Sequence, residues 1–151
     1  MLTETLKKLF KRDLTKLKSE IEAYKSDANL WRVDHDIKNS AGNLCLHLIG
    51  NLNTYIGATL GGTGYIRNRE LEFSLKDIPK QQLIKMIEET AKAVDETLEH
   101  LTNEQIDGEY PLLVFEEKTS TEFFLVHLTT HLTYHLGQIN YHRRLLDCGQ
   151  E

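Results

Sequence analysis

The chain has 151 residues and a formal net charge of −5, with 40% hydrophobic and 27% charged residues. This length suits one domain, 1–151, with its own core, and the acidic balance argues against general binding of nucleic acid. The first residues lack the apolar run of a signal peptide, and no stretch has the roughly eighteen apolar residues of a membrane span. The two cysteines, Cys45 and Cys148, form no disulfide framework, which fits a reducing compartment. We therefore expect a cytoplasmic protein that binds neither nucleic acid nor membranes.

Apolar residues at spacings of three and four predict two long helices in the first part of the chain. The first runs from about residue 2 to 25 and is followed by an irregular segment, 26–36, that contains the only tryptophan, Trp31. The second, about 37–60, is apolar over most of its circumference, which is typical of a buried helix. Three glycines recur along it although each costs about 1 kcal/mol relative to alanine, and a close helix neighbour would explain them: Gly42, Gly50 and Gly57.

Two more helices are predicted in the second part of the chain. The third begins at Asp77 or Ile78 with Pro79 in its first turn, a favoured place for proline. A turn-rich loop follows, in which LLVF can form a short extended piece. The fourth helix begins at a T-x-x-E capping box at 119–122 and ends near residue 147. Four long amphipathic helices in one small domain predict an all-α four-helix bundle.

The strongest functional signal is a column of histidines in HLTTHLTYHLGQ: His127, His131 and His135. Residues four apart lie one above another on the same face of a helix, and imidazole is the commonest protein ligand for zinc, nickel and related metals. Gln138 and His142 fall on nearly the same stripe. The three histidines cannot all bind one ion, because eight residues of helix span about 12 Å. A metal site therefore takes a consecutive pair and a ligand from elsewhere.

His47, in the buried second helix, is the candidate for that further ligand. A histidine among leucines has two interpretations, since its nitrogens need partners in either case. It is a metal ligand, or it is a core residue bonded to a backbone carbonyl or to a side chain such as Asn51. The sequence contains no HExxH motif, no paired ExxH motifs, no phosphate-binding GxxxxGK[ST] and no GxGxxG.

The segment HLTYHLGQI resembles the HxxxHxGQ signature that closes the last core helix of DinB-like four-helix bundles. The stretches NSAGNLCLHLIGNLNTYIGATLGG and RNRELEF also look like an uncharacterised branch of that superfamily. The resemblance covers Trp31 to Leu146. It implies that His47, His131 and His135 hold one divalent metal ion, zinc or nickel. It also implies a homodimer and, as in some members, a thiol-dependent transferase that uses a low-molecular-weight thiol such as bacillithiol or mycothiol.

On this resemblance we assign further candidate residues around the metal. Asn51 and Gln138 are expected to accept the outer N–H groups of the metal-bound histidines. His127, one turn before the ligand pair, is a candidate catalytic residue that bonds a substrate or carries a proton, or else a packed polar group. Arg67 and Arg69 are candidates for binding a substrate carboxylate, with ion pairs to Glu70 or Glu72 as the alternative.

The function predicted from these residues is a metal-dependent thiol S-transferase, in which a metal-stabilised thiolate attacks a small electrophile. A metal-dependent hydrolase would use the same ligands. Two alternatives are not enzymes. One is a helical-bundle dimer with a structural or sensory metal site, and the other is a plain bundle whose histidines are core hydrogen-bonders.

Overall fold

The computed structural model describes residues 2–148, and its helices follow the apolar periodicity of the chain. Within those residues the α-helices, in chain order, are α1 (Leu2–Glu22), α2 (Ala41–Leu52), α3 (Arg69–Ser74), α4 (Lys80–His100), α5 (Asn103–Asp107) and α6 (Thr121–Leu146). A 3₁₀ helix, Asp27–Trp31, precedes α2, and a π-helical segment, Asn53–Ala58, continues it.

The four long helices form a bundle around one core. α1 packs against α4 and α6, and α2 packs against the same two helices, so the order around the bundle is α1, α4, α2, α6. The short α3 packs on α2, outside this ring. The predicted all-α four-helix bundle is therefore confirmed, and α2 and α6 are neighbours. Among the helices of residues 2–148, none combines the length and apolarity that crossing a membrane requires.

The second long helix is buried along its whole α-helical length, as its composition predicts, but it begins later than expected. All twelve residues of Ala41–Leu52 are buried. The Ser40 side chain accepts a hydrogen bond from the Asn43 backbone N–H, which caps the helix at this point. Two of its glycines lie against side chains from outside the long helices, Gly42 against the Trp31 ring and Gly50 against the Glu72 carboxylate. A methyl group at either position would therefore overlap that side chain.

Sequence patterns misplaced the starts of α4 and α6. Asp77 has a φ of 60°, so it lies outside the helix, and Pro79 is the N-cap of α4 rather than part of its first turn. The prediction that a T-x-x-E capping box at 119–122 begins the last helix is wrong. Ser120 caps α6 by accepting from the Phe123 N–H, because an antiparallel bridge between Glu109 and Ser120 fixes the chain up to that residue. The LLVF segment forms no strand, and α3 and α5 lie in regions predicted as loops.

His142, on the same stripe of α6 as the histidine column, is a buried hydrogen-bonding residue of the core. Its Nε2 lies 2.8 Å from the Arg32 carbonyl oxygen, which only accepts, so Nε2 carries the proton. Its Nδ1 then accepts from the Tyr24 hydroxyl at 2.7 Å. Burial lowers the pKa of His142 below its ordinary value, because the charged imidazolium is poorly solvated there. The neutral ring thus connects α6 to Tyr24, which precedes the 3₁₀ helix, and to Arg32, which follows it.

We predict that His142→Phe lowers the free energy of unfolding by about 1–3 kcal/mol at neutral pH, since it leaves the buried Tyr24 hydroxyl without its partner and removes the bond to the Arg32 carbonyl. The stabilisation by His142 should be complete above its ordinary pKa of 6.5 and decline as the pH falls below it, because the unfolded chain then binds the proton first. Urea titrations between about pH 7.5 and 5.5 measure both effects.

The matched control is His100→Phe, the same change at an exposed position of α4. It should alter stability by less than about 0.5 kcal/mol. Equal effects of the two substitutions, or a difference between the wild type and His142→Phe that does not change with pH, would contradict the structural role of His142.

Candidate metal centre

Three imidazoles meet at the seam between α2 and α6. The Nε2 atom of His131 lies 3.2 Å from that of His47 and 3.1 Å from that of His135. The three rings offer ligand atoms that all lie within 4.8 Å of one another. The four-residue spacing on α6 places His131 and His135 on one face, and the packing of α2 against α6 brings His47 to them. The structure therefore assembles the predicted combination of a consecutive pair and a histidine from the second helix.

The outer nitrogens of two of these rings bind hydrogen-bond acceptors. Nδ1 of His47 lies 3.1 Å from the Glu72 carboxylate, and Nδ1 of His135 lies 2.7 Å from the Gln138 side-chain oxygen. An ionised carboxylate and an amide oxygen only accept, so both Nδ1 atoms carry the proton. In each ring Nε2 then presents a lone pair toward the centre, which is the form in which histidine binds a metal.

Whichever nitrogen holds the single proton of His131, one polar group of this cluster has no partner among the described residues. Its Nδ1 is buried and has no hydrogen-bond partner among the described residues. If that nitrogen holds the proton, three Nε2 lone pairs face one another at the centre. If Nε2 holds it, one neighbouring Nε2 accepts and the buried Nδ1 has no donor. Burial and the neighbouring histidines together lower the pKa of His131 to about 4, so a second proton on this ring does not remove the conflict at neutral pH.

Two of the separations between Nε2 atoms are close to those of ligands on a small divalent ion. A tetrahedral ion at 2.0–2.1 Å from each nitrogen separates two imidazole ligands by about 3.3 Å. The separations of His131 from His135 and from His47, 3.1 and 3.2 Å, are close to that value, and the ligand atoms of all three residues lie within 4.8 Å of one another. Within the described residues, the group of possible ligands comprises these three histidines, so protein ligands would fill three positions of a tetrahedral site. Catalytic zinc sites have this composition, whereas structural sites use four protein ligands.

The other predicted site residues are distributed around this centre. Gln138 lies where it was expected, on the outer nitrogen of His135. His127 is outside the ligand group, with its ring centre 6.2 Å from that of His131 and 4.8 Å from that of Phe115. Asn51 is buried and its side-chain oxygen has no hydrogen-bond partner in the described part of the chain, so Glu72, not Asn51, accepts from His47.

The two arginines differ in what they contact. Arg67 binds the Glu72 carboxylate through Nε and Nη2, both at 2.8 Å, which is the ion pair considered as its alternative role. Arg69 places its guanidinium 5.5 Å from the centre of the Phe73 ring. That ring lies 5.1 Å from the His47 ring, so Phe73 stands between Arg69 and His47.

Glu72 is the site residue that the sequence did not reveal. It lies on α3, in a segment predicted as a loop, and 25 residues separate it from His47. No spacing rule joins two such positions. The one sign of Glu72 in the sequence was Gly50, three residues after His47 on the same face of α2. A glycine inside a helix indicates that another group approaches closely there.

Comparison with known proteins establishes the family but no activity. The crystal structure of a conserved protein of locus from Enterococcus faecalis is similar to this one, with a TM-score of 0.76 and 16% sequence identity over 95% of this chain and 96% of that one. This likeness supports the fold alone. No curated protein matches the sequence. A family model described as "Protein of unknown function (DUF1572)" matches residues 2–150. The chain therefore belongs to the DUF1572 family of proteins of unknown function.

Proposed function

We propose that this protein is a DinB-like, metal-dependent enzyme that transfers a thiol to a small electrophile. The observation that carries the proposal is the convergence of three Nε2 atoms, two of them in rings whose outer N–H is bound by an acceptor. The sequence HxxxHxGQ and the four-helix bundle support the DinB-like assignment, since the histidines of that signature are two of the three that converge.

The donor set favours zinc or nickel. Three neutral imidazoles suit borderline ions of this kind, whereas magnesium and calcium prefer oxygen ligands. When bound, such an ion supplies Lewis acidity, which lowers the pKa of a coordinated thiol and makes it a nucleophile at neutral pH. The three-histidine composition supports an enzyme over a structural site, because it leaves a position for a reacting group.

The chain's own residues then hold, orient and contact the reactants. Gln138 keeps the proton of His135 on Nδ1, which directs Nε2 inward. His127 lies beside the ligand group without joining it, the position expected of a residue that bonds a substrate or carries its proton. Arg67 is engaged with Glu72, so Arg69 is the arginine we retain for binding a substrate carboxylate.

Metal content tests the site itself. The purified untagged protein, incubated with zinc or nickel, should bind about one equivalent, and His131→Ala should bind none because it removes the central ligand. His127→Ala is the matched control on the same helix and should retain the metal, since its ring is outside the ligand group. Elemental analysis of the three proteins provides the measurement. Metal in His131→Ala, or its loss in His127→Ala, would show that the ligands are assigned wrongly.

Product analysis tests the reaction. The metal-loaded protein should accelerate the reaction of an aryl halide with one of bacillithiol, mycothiol or glutathione, in which a carbon–sulfur bond replaces the carbon–halogen bond and halide and a proton are released, and His131→Ala should not. Mass spectrometry distinguishes the alternatives. A product that has gained water instead of the thiol would indicate the hydrolase. A loaded protein that is inactive with all thiols, and also hydrolyses no ester, amide or phosphoester, would favour a structural or sensory metal.

The homodimer implied by the DinB-like resemblance also remains a proposal, and the surface of α6 supports it. Large apolar side chains at helical spacing face solvent there: Phe123, Val126, Tyr134, Tyr141 and Leu145. Such a stripe on a surface helix is typical of an interaction face. Sedimentation equilibrium should give twice the chain mass for the wild type and one chain mass for Tyr141→Arg. A wild-type monomer at micromolar concentration would refute the dimer.

A further inference from the structure

We propose that Glu72 is a positioning residue, which fixes His47 with its proton on Nδ1 and thereby strengthens metal binding at Nε2. The inference rests on the proposed metal site and assigns a role to a residue outside the ligand group. Glu72 is not one of the three possible ligands. It acts only through the His47 ring.

The Glu72 carboxylate is buried and accepts three hydrogen bonds. One oxygen lies 2.8 Å from Nε of Arg67, and the other lies 2.8 Å from Nη2 of Arg67 and 3.1 Å from Nδ1 of His47. Its residue exposure is 6%, so removing its charge from water must be offset by these partners. The bidentate arginine supplies most of that compensation, which leaves an ionised acceptor against the imidazole.

The geometry decides which nitrogen of His47 carries the proton. Nη2 of Arg67 also lies 3.4 Å from Nδ1 of His47, so Nδ1 has a donor and an acceptor as neighbours. The acceptor is closer and carries a full negative charge, and an unprotonated Nδ1 would face it lone pair to lone pair. Nδ1 therefore donates to Glu72, and Nε2 is left unprotonated toward His131.

The backbone around Glu72 is anchored to α2 at its carbonyl end. The Asn43 side-chain amide donates to the carbonyl oxygens of Glu72 and Leu75, both at 2.9 Å. Asn43 is itself buried one turn before His47, on the same face of α2. Asn43 thus holds the main chain of Glu72, and the Glu72 side chain in turn binds His47.

Two further features position α3: a side chain that caps its first turn and a glycine that leaves space for the Glu72 carboxylate. The Asn68 side chain accepts from the Leu71 N–H and caps the helix. Gly50 lies directly under the carboxylate, where any side chain would displace it. These features, with Asn43, hold a six-residue helix that is too short to be stable alone. Their common effect is the placement of Glu72 against His47.

A carboxylate that accepts from a histidine N–H fixes the tautomer and ring orientation and raises the basicity of the other nitrogen. Loss of such a partner typically weakens metal binding about 10–100-fold. We expect Glu72→Ala to raise the zinc dissociation constant by this factor and Glu72→Gln by less, because an amide oxygen still accepts. Competition with a chromogenic chelator measures both. Glu70→Gln, on the exposed side of the same short helix, is the matched control and should leave the constant unchanged.

A second measurement separates positioning from general destabilisation. Long-range proton–nitrogen correlation spectra of the metal-free protein report which imidazole nitrogen carries the proton. The wild type should show His47 protonated on Nδ1, and Glu72→Ala should show a mixture of tautomers while the spectrum of His142 is unchanged. Gly50→Ala, which displaces the carboxylate without removing it, should resemble Glu72→Ala in both measurements.

The outcomes distinguish this inference from the proposed function. If the wild type binds no metal, the proposed function fails, and the tautomer of His47 still tests the role of Glu72. If the wild type binds zinc and Glu72→Ala binds it equally well, the metal site stands and the inference is overturned. Protonation of wild-type His47 on Nε2 would overturn it as well.

Discussion

The structure depends on one constraint, the need of buried imidazole nitrogens for partners. Between α2 and α6, Nε2 of His131 lies 3.2 Å from that of His47 and 3.1 Å from that of His135. Two of the rings direct their protons outward to Glu72 and Gln138, which leaves lone pairs facing inward. A shared cation would bind all three inward lone pairs, whereas a proton on Nε2 of His131 reaches only one neighbouring lone pair; Nδ1 of His131 has no partner among the described residues in either case.

The contrast between His142 and the ligand group shows that partners, not position on the helix, define what a histidine does. His142 lies on the same stripe of α6, seven residues after His135, and is more deeply buried. A carbonyl and a hydroxyl take both of its nitrogens, so it has none left for a ligand. The other end of the stripe differs again, because His127 packs edge-on against Phe115.

The short helix α3 connects the bundle to the site. The four long helices bury the core without it, yet it supplies Glu72, and Asn43 and Gly50 of α2 are committed to receiving it. A glycine within a buried helix weakens that helix, and the loss is tolerated where a carboxylate has to reach an imidazole. At position 50, a residue with a side chain would stabilise α2 but would displace the carboxylate that orients His47.

The sequence by itself determined the four-helix architecture and the placement of a histidine pair on one face of the last helix. Helical periodicity in long apolar stripes specified four helices, and the four-residue histidine spacing specified a pair on one face, because both are local properties of a helix. The first residues of the helices were harder to predict from the sequence. The cap at Ser120 and the position of Pro79 depend on a backbone bridge and on a positive φ, not on side-chain pattern.

Only the tertiary structure decided which groups surround the ligands. The ion pair of Arg67 with Glu72, the placement of Glu72 instead of Asn51 on His47, and the separation of His142 from the site all join residues distant in sequence. Such contacts follow from how α3 and the 3₁₀ helix pack on the bundle. No spacing in one sequence encodes that packing, since short segments are held by single side chains and not by a repeated stripe.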